Sequence, residues 1–219
     1  MKSYKAIIFD FDMTLADSAN VIITLLNMVS LHYGYREMSP EETMPVVGNT
    51  HEIMLSHVTG EKDPQKLLEM RQYYRQLCRE EMPGRTEFFD DVPACLENIH
   101  RKGIKLGLLS LKLHDVLMAS LVKYDLAKYF EVVTGCEDVA APKPDPSGLF
   151  CTMDALGVTP EETLYIGDSL VDQGAAHAAG TDFAAMLRGG TKKEQFDPTI
   201  VNYYYETADA LWADVQSAS

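Results

Sequence analysis

Five short apolar runs, separated by stretches of helical character, recur along most of this chain: Ala6–Phe9, Lys105–Leu109, Glu131–Thr134, Thr163–Ile166 and Asp182–Met186. Each is apolar along its length rather than at alternate positions, the pattern of a strand buried on both faces. Helical stretches lie between them at Val92–Lys102, His114–Tyr124, Ser147–Leu156 and Asp172–Ala179. Gly103, Gly157 and Gly180 each follow one of these stretches, where a helix terminus favours a left-handed residue. Such alternation with short connections predicts an α/β fold, a doubly wound parallel sheet with helices on both faces. Val201–Tyr205 adds a last strand, and Thr207–Gln216 a closing helix.

One region breaks the alternation. From Asp17 to Gly84 no strand-like run occurs. Asp17 and Ser18 can cap a helix reaching His32, and Asp63-Pro64 is an N-cap and first-turn pair for a helix reaching Met82. Leu67, Met70, Tyr74, Leu77 and Cys78 recur at helical spacing within it. A chain of 219 residues has room for a core and an insert. The expected division is a core of residues 1–15 and 85–219 with a helical domain of residues 16–84. The linkers are expected at Leu15–Asp17 and Pro83-Gly84, with hinges near Leu15–Asp17 and Met82–Gly84.

Asp and Glu total 33 against 19 Lys and Arg, a net charge of −14. Such a chain repels phosphate backbones and anionic lipid, which argues against nucleic-acid and membrane partners. Cys78, Cys95, Cys136 and Cys151 form no CxxC pair and no zinc spacing, so free thiols are expected. The opening MKSYKAIIFDFD has too short an apolar run for a signal peptide. A cytoplasmic protein is expected.

Four short motifs carry chemistry. Asp10-Phe11-Asp12-Met13-Thr14 follows the first strand, and carboxylates two apart there can point to one side. Ser110 closes the strand Lys105–Leu109. Lys143 lies between prolines in Ala141–Pro146, on a stiff segment that cannot be helical and can aim an ammonium. Gly167-Asp168-Ser169-Leu170-Val171-Asp172 follows a fourth apolar run. Each motif alone also has a plain reading, as a polar turn, a helix cap or a solvated loop. Together they stand just beyond different parallel strands, where an open α/β sheet has its ligand crevice. Hard carboxylate oxygens there suit Mg²⁺, and an ammonium beside them suits a phosphoryl group.

With FDFDMTLADS, LLS, PKPDP and GDSLVD in that order, the chain resembles the haloacid dehalogenase-like phosphohydrolases along its whole length. The closest resemblance is to the phosphoglycolate phosphatase-like branch with a helical cap. The resemblance implies a Rossmann-like core and an aspartyl-phosphate mechanism on a small phosphorylated metabolite, in a monomer or homodimer. It implies Asp10 as nucleophile, Asp12 as general acid and base, Ser110 as a phosphoryl-holding hydroxyl and Lys143 as the neutralising cation. It further implies Mg²⁺ on Asp10, Asp168 and the Asp12 backbone carbonyl, with Asp172 supporting the ion indirectly. Thr14, Leu111 and the cap loop residues Gly48, Asn49 and Thr50 are expected near substrate. Two positions depart from the family pattern: Met13 stands for a usual Gly, and Leu111 for a frequent Asn.

A sugar-phosphate mutase of the β-phosphoglucomutase type uses the same core residues and is the enzymatic alternative. A receiver-like phospho-accepting module also combines acids, a hydroxyl and Lys, but on a later strand and without a helical insert. A non-catalytic scaffold would not need all of Asp10, Asp12, Lys143 and Asp168, which are all present. His51 and His57 are too far apart for a metal pair on one helical face. Arg71, Arg75 and Arg79 form a ridge flanked by Glu69, Glu80 and Glu81, expected to be a solvated face with local ion pairs.

Overall fold

The structure, a computed structural model, describes residues 1–218. Its main sheet has six parallel strands in the order β5-β4-β1-β6-β7-β8. These are β1 (Ala6–Phe9), β4 (Lys105–Leu109), β5 (Val132–Thr134), β6 (Thr163–Gly167), β7 (Asp182–Met186) and β8 (Val201–Tyr205). The chain lays β4 and β5 on one side of β1, then crosses over to build β6, β7 and β8 on the other. Strand direction of travel therefore reverses around β1, and a crevice opens beyond its carboxyl end.

Side chains divide between the two faces with the period of two that a strand imposes. Ile7, Phe9, Leu106, Leu108, Leu164 and Ile166 face one way, against α5 (Val92–Arg101), α6 (His114–Lys123) and α9 (Ala208–Ser217). Ala6, Ile8, Tyr165 and Phe183 face the other, against α7 (Ser147–Leu156) and α8 (Leu170–Ala179). Both faces are buried, which is why the strands read as unbroken apolar runs.

Between β1 and α5 the chain forms four α-helices: α1 (Ala19–His32), α2 (Pro40–Thr43), α3 (His51–Thr59) and α4 (Pro64–Arg85). Ile22, Leu25, Leu26 and Val29 of α1 meet Met54, Leu55 and Val58 of α3 and Met70, Tyr74 and Leu77 of α4 in a separate apolar cluster. Leu113 and Val116, at the start of α6, complete it from the sheet side. A short ribbon carries the chain out and back: β2 (Ala16–Asp17) pairs antiparallel with β3 (Glu87–Phe88).

Two local expectations are corrected. Pro83-Gly84 is not a linker; both residues lie inside α4, which runs on to Arg85 with Thr86 N–H bonded to Met82 O at 2.8 Å. Proline stands in the final turn, where little helix remains downstream to disturb. The return crossing lies beyond it, at Thr86 and β3, rather than at Met82–Gly84. Ser18 precedes α1 but its hydroxyl does not cap the helix, because it donates to Asp12 Oδ1 instead. Among the described residues no helix is long and apolar enough to cross a membrane.

Ile8 is fully buried at the centre of the sheet. Ile8→Ala should cost ~2–5 kcal/mol, measured as a shift of the urea midpoint without a change in slope. A loss below ~1 kcal/mol would contradict the packing described.

Candidate active site

Four loops at the carboxyl ends of the strands bring the charged residues together. Asp10 continues β1, Ser110 continues β4, Lys143 comes from the loop after β5, and Asp168 follows β6. Asp10, Ser110, Lys143, Asp168 and Asp172 are all buried, at 8% exposure or less.

Lys143 Nζ lies at the centre. It donates to Asp10 Oδ1 at 2.7 Å, to Asp172 Oδ1 at 2.5 Å and to the Tyr165 hydroxyl at 3.0 Å. Asp172 accepts at both oxygens: Tyr165 O–H reaches Oδ1 at 2.7 Å, and Ser169 N–H reaches Oδ2 at 3.1 Å. This residue therefore caps α8 with one oxygen and anchors the ammonium with the other. Carboxylate oxygens of Asp10, Asp168 and Asp172 lie within 4.8 Å of one another.

Three acids around one ammonium leave negative charge in excess. Burial pushes the Asp10 carboxyl up to about 7, with Asp172 and Asp12 adding to the rise and Lys143 opposing it. Burial, Asp172 and Asp10 likewise raise Asp168 well above the usual carboxylate range. Burial would lower Lys143, but Asp10 and Asp172 prevail and hold its ammonium well above the ordinary value. This donor set, hard oxygens with unneutralised charge, fits a small divalent cation. Asp10 and Asp168 have oxygens to offer it, whereas both Asp172 oxygens are already engaged by Lys143, Tyr165 and Ser169.

Asp12 points to a separate partner. Its Oδ1 is 3.0 Å from Lys112 Nζ, an ammonium only 5% exposed that also sits over the Phe11 ring. Ser110 Oγ accepts the Lys112 backbone N–H at 3.2 Å. Close approaches hold the loops in place. A Cβ on Gly167 would stand 2.4 Å from Asp172 Cγ, and one on Gly189 would stand 1.8 Å from Asp168 Oδ2. No larger residue fits either place without moving an acid. Met13 adopts φ +58°, the left-handed region that favours glycine, at a cost of ~1–2 kcal/mol.

The cavity over these residues has a volume of about 30 Å³, room for an ion or a few waters but not for a metabolite. Gly48, Asn49 and Leu111 line it. Thr50 does not; it caps α3 and faces an adjoining cavity. Thr14 is also away from the site, buried against Phe9, Val92 and Cys95 with an unpartnered hydroxyl. The chain has turned at Met13, so Thr14 points into the core rather than the crevice. Sequence reasoning passed over His51, Tyr74, Cys78, Met82 and Lys112, which also line the cavity. Lys112 follows the Ser110 motif by two, a spacing that could have marked it.

Raised acids make a pH prediction. A carboxyl whose folded value lies above its unfolded one stabilises the fold at low pH, and that contribution is lost as pH rises through the folded value. Without divalent cations, the Asp10 contribution should be complete below about pH 4 and gone above about 7. Melting temperatures in chelator from pH 4 to 8 should fall more steeply for the wild type than for Asp10→Asn. Parallel curves would contradict the charge excess.

The comparisons agree with this geometry. A family model for haloacid dehalogenase-like hydrolases matches residues 7–186. A phosphoglycolate phosphatase of Aquifex aeolicus is 30% identical over 188 residues, covering 86% of this chain and 87% of that protein. Pyrophosphatase PpaX of Bacillus velezensis is 28% identical over 200 residues, covering 90% and 91%. A crystal structure of a haloacid dehalogenase-like hydrolase from Bacteroides fragilis superposes with a TM-score of 0.91 at 34% identity, covering 95% of this chain and 100% of that one. With a family model matched over residues 7–186 and a relative 30% identical over most of both chains, the chain belongs to the haloacid dehalogenase-like hydrolases, in their phosphoglycolate phosphatase-like branch.

Proposed function

We propose that this hydrolase is a Mg²⁺-dependent phosphatase that cleaves a small phosphate monoester through an aspartyl-phosphate on Asp10. The observation that carries the reading is the buried Lys143 ammonium, 2.7 Å from Asp10 Oδ1 in a crevice with Asp168 and Asp172. Names of relatives, phosphoglycolate phosphatase and pyrophosphatase, support the same chemistry.

Asp10 attacks phosphorus with its carboxylate. That group is a weak nucleophile, so its use depends on positioning and on charge neutralisation around the phosphoryl oxygens. Lys143 supplies one positive charge from below, and Ser110 Oγ stands at the neighbouring strand end to hold a phosphoryl oxygen. Bound at Asp10 and Asp168, Mg²⁺ would supply the remaining charge and orient the phosphoryl group. Asp12 protonates the leaving oxygen, then takes a proton from the water that opens the acyl phosphate. Its bonds to Lys112 and Ser18 keep the carboxylate aimed across the crevice. Asp172 does not meet substrate; it positions Lys143.

Helices α1–α4 act as a cap over this centre. The small cavity is the closed arrangement, and entry of a metabolite needs the cap to lift about the β2–β3 ribbon. Closure then excludes water from the transfer step.

Asp10→Asn should abolish release of phosphate from p-nitrophenyl phosphate. Asp12→Asn should slow it by ~10²–10⁴-fold, and acid-quenched samples should retain a phosphoryl adduct by mass spectrometry. Chelator should stop the wild type. Chelator-insensitive turnover, or an Asp12→Asn enzyme as fast as wild type, would overturn the assignment.

A further inference from the structure

Three consecutive residues after β7 touch the exit of the β2–β3 ribbon, the acid Asp168 and the helical cap in turn. Leu187 N–H still bonds to Tyr205 O at 2.7 Å, so the chain leaves the sheet only at Arg188. Arg188 turns back toward the ribbon. Its guanidinium is 9% exposed and pairs with Asp91, lies over the Phe89 ring at 4.4 Å, and donates from Nε to Glu206 O at 3.1 Å. Phe89 is tied to the chain entering the ribbon, its N–H bonding to Leu15 O at 3.1 Å. Asp91 Oδ2 also accepts the Ala208 N–H at 2.8 Å, which fixes the carboxylate that holds Arg188.

Gly189 comes next and packs against Asp168. Lys143 holds Asp10 and Asp172 by hydrogen bonds of 2.7 and 2.5 Å. The Asp168 carboxylate has no hydrogen-bond donor among the described residues, so close contact with the Gly189 backbone limits where it can stand. Gly190 then faces the cap. A Cβ on it would lie 3.5 Å from Met44 Cγ and 3.6 Å from Met44 O, ordinary contact distances. Met44 opens the short helical turn Met44–Val46 that follows α2.

We propose that Arg188–Gly190 is a strap that couples the cap to Asp168, so that cap closure and divalent-cation binding favour one another. The inference rests on the divalent-cation reading of the site and adds how the helical insert controls it. A cap lifted about the ribbon draws Met44 away from Gly190 and disturbs Phe89 and Asp91, where Arg188 is anchored. Gly189, between these two contacts, then loses the position that keeps Asp168 beside Asp10. A ligand shifts a conformational equilibrium only by its differential affinity for the two states, and Asp168 is the group through which the cation distinguishes them. The effect is reciprocal: whatever closure adds to cation affinity, the cation adds to closure.

The test combines calorimetric Mg²⁺ binding to the full chain with hydrogen exchange measured with and without Mg²⁺. In wild type, Mg²⁺ should slow exchange several-fold at the β2–β3 ribbon and at the turn Met44–Val46. Arg188→Gln should weaken Mg²⁺ binding about five-fold or more and remove that slowing. Arg188→Lys keeps the charge without the planar fork and should retain part of both. Met44→Ala leaves the Arg188–Asp91 pair intact, so it decides the matter if Arg188→Gln fails to fold, and it should also lower Mg²⁺ affinity and blunt the slowing at the ribbon. A change that merely loosens the fold would speed exchange equally with and without the cation. Wild-type affinity and response in Arg188→Gln or in Met44→Ala would overturn the strap. A wild type that binds no Mg²⁺ overturns the strap and the divalent-cation reading together. One that responds as described but releases no phosphate from p-nitrophenyl phosphate loses the phosphatase reading and keeps the strap.

Discussion

The Lys143 ammonium, 2.7 Å from Asp10 Oδ1 and 2.5 Å from Asp172 Oδ1, is buried with both of its partners. Acids packed this closely repel one another and resist ionisation away from water. One cation eases that repulsion but does not neutralise all three, and Asp10 and Asp168 remain raised. The remaining negative charge is what a divalent ion and a phosphoryl group can use in succession. Affinity for the ion and reactivity toward phosphate thus have a common origin in a deliberate imbalance of buried charge.

Sheet topology places that imbalance. Because β1 lies between β4 and β6, the ends of three adjacent strands present Asp10, Ser110 and Asp168 side by side. Lys143 enters from the β5–α7 connection, and its Lys143–Pro144 peptide bond is cis. Asp172 joins α8 to the cluster through Gly167, where the absent side chain lets its carboxyl approach the strand. The helical insert contributes different chemistry. Its α3 and α4 supply His51, Tyr74 and Arg75 around the cavities, and their neutral or cationic character complements the acids below.

Much of this was legible in the chain itself. Strands buried on both faces have unbroken apolar runs, so β1, β4 and β6 could be read directly, and with them the strand-end positions of Asp10, Ser110 and Asp168. What local pattern could not show was the direction of a side chain after a turn. Thr14 follows Asp12 by two, yet the left-handed Met13 rotates it into the core. Pro83-Gly84 has the composition of a linker, but the tertiary cluster around Met82 and Leu77 carries α4 past it. Arg71, Arg75 and Arg79 are indistinguishable by spacing; the positions of Glu52 and Asp115, distant in sequence, pair the first and last and leave Arg75 without a carboxylate partner among the described residues. Such partners are assigned by the fold, not by the helix that bears the residue.

The measurement closest to the central claim is a double-mutant cycle between Lys143→Met and Asp10→Asn, followed by urea unfolding in chelator at pH 8. Removing the ammonium leaves buried carboxylates uncompensated and should cost ~3–5 kcal/mol. Asp10→Asn in that background should restore part of the loss, giving a coupling energy of ~1 kcal/mol or more between the two sites. A Lys143→Met protein as stable as wild type, with the two changes strictly additive, would contradict the account.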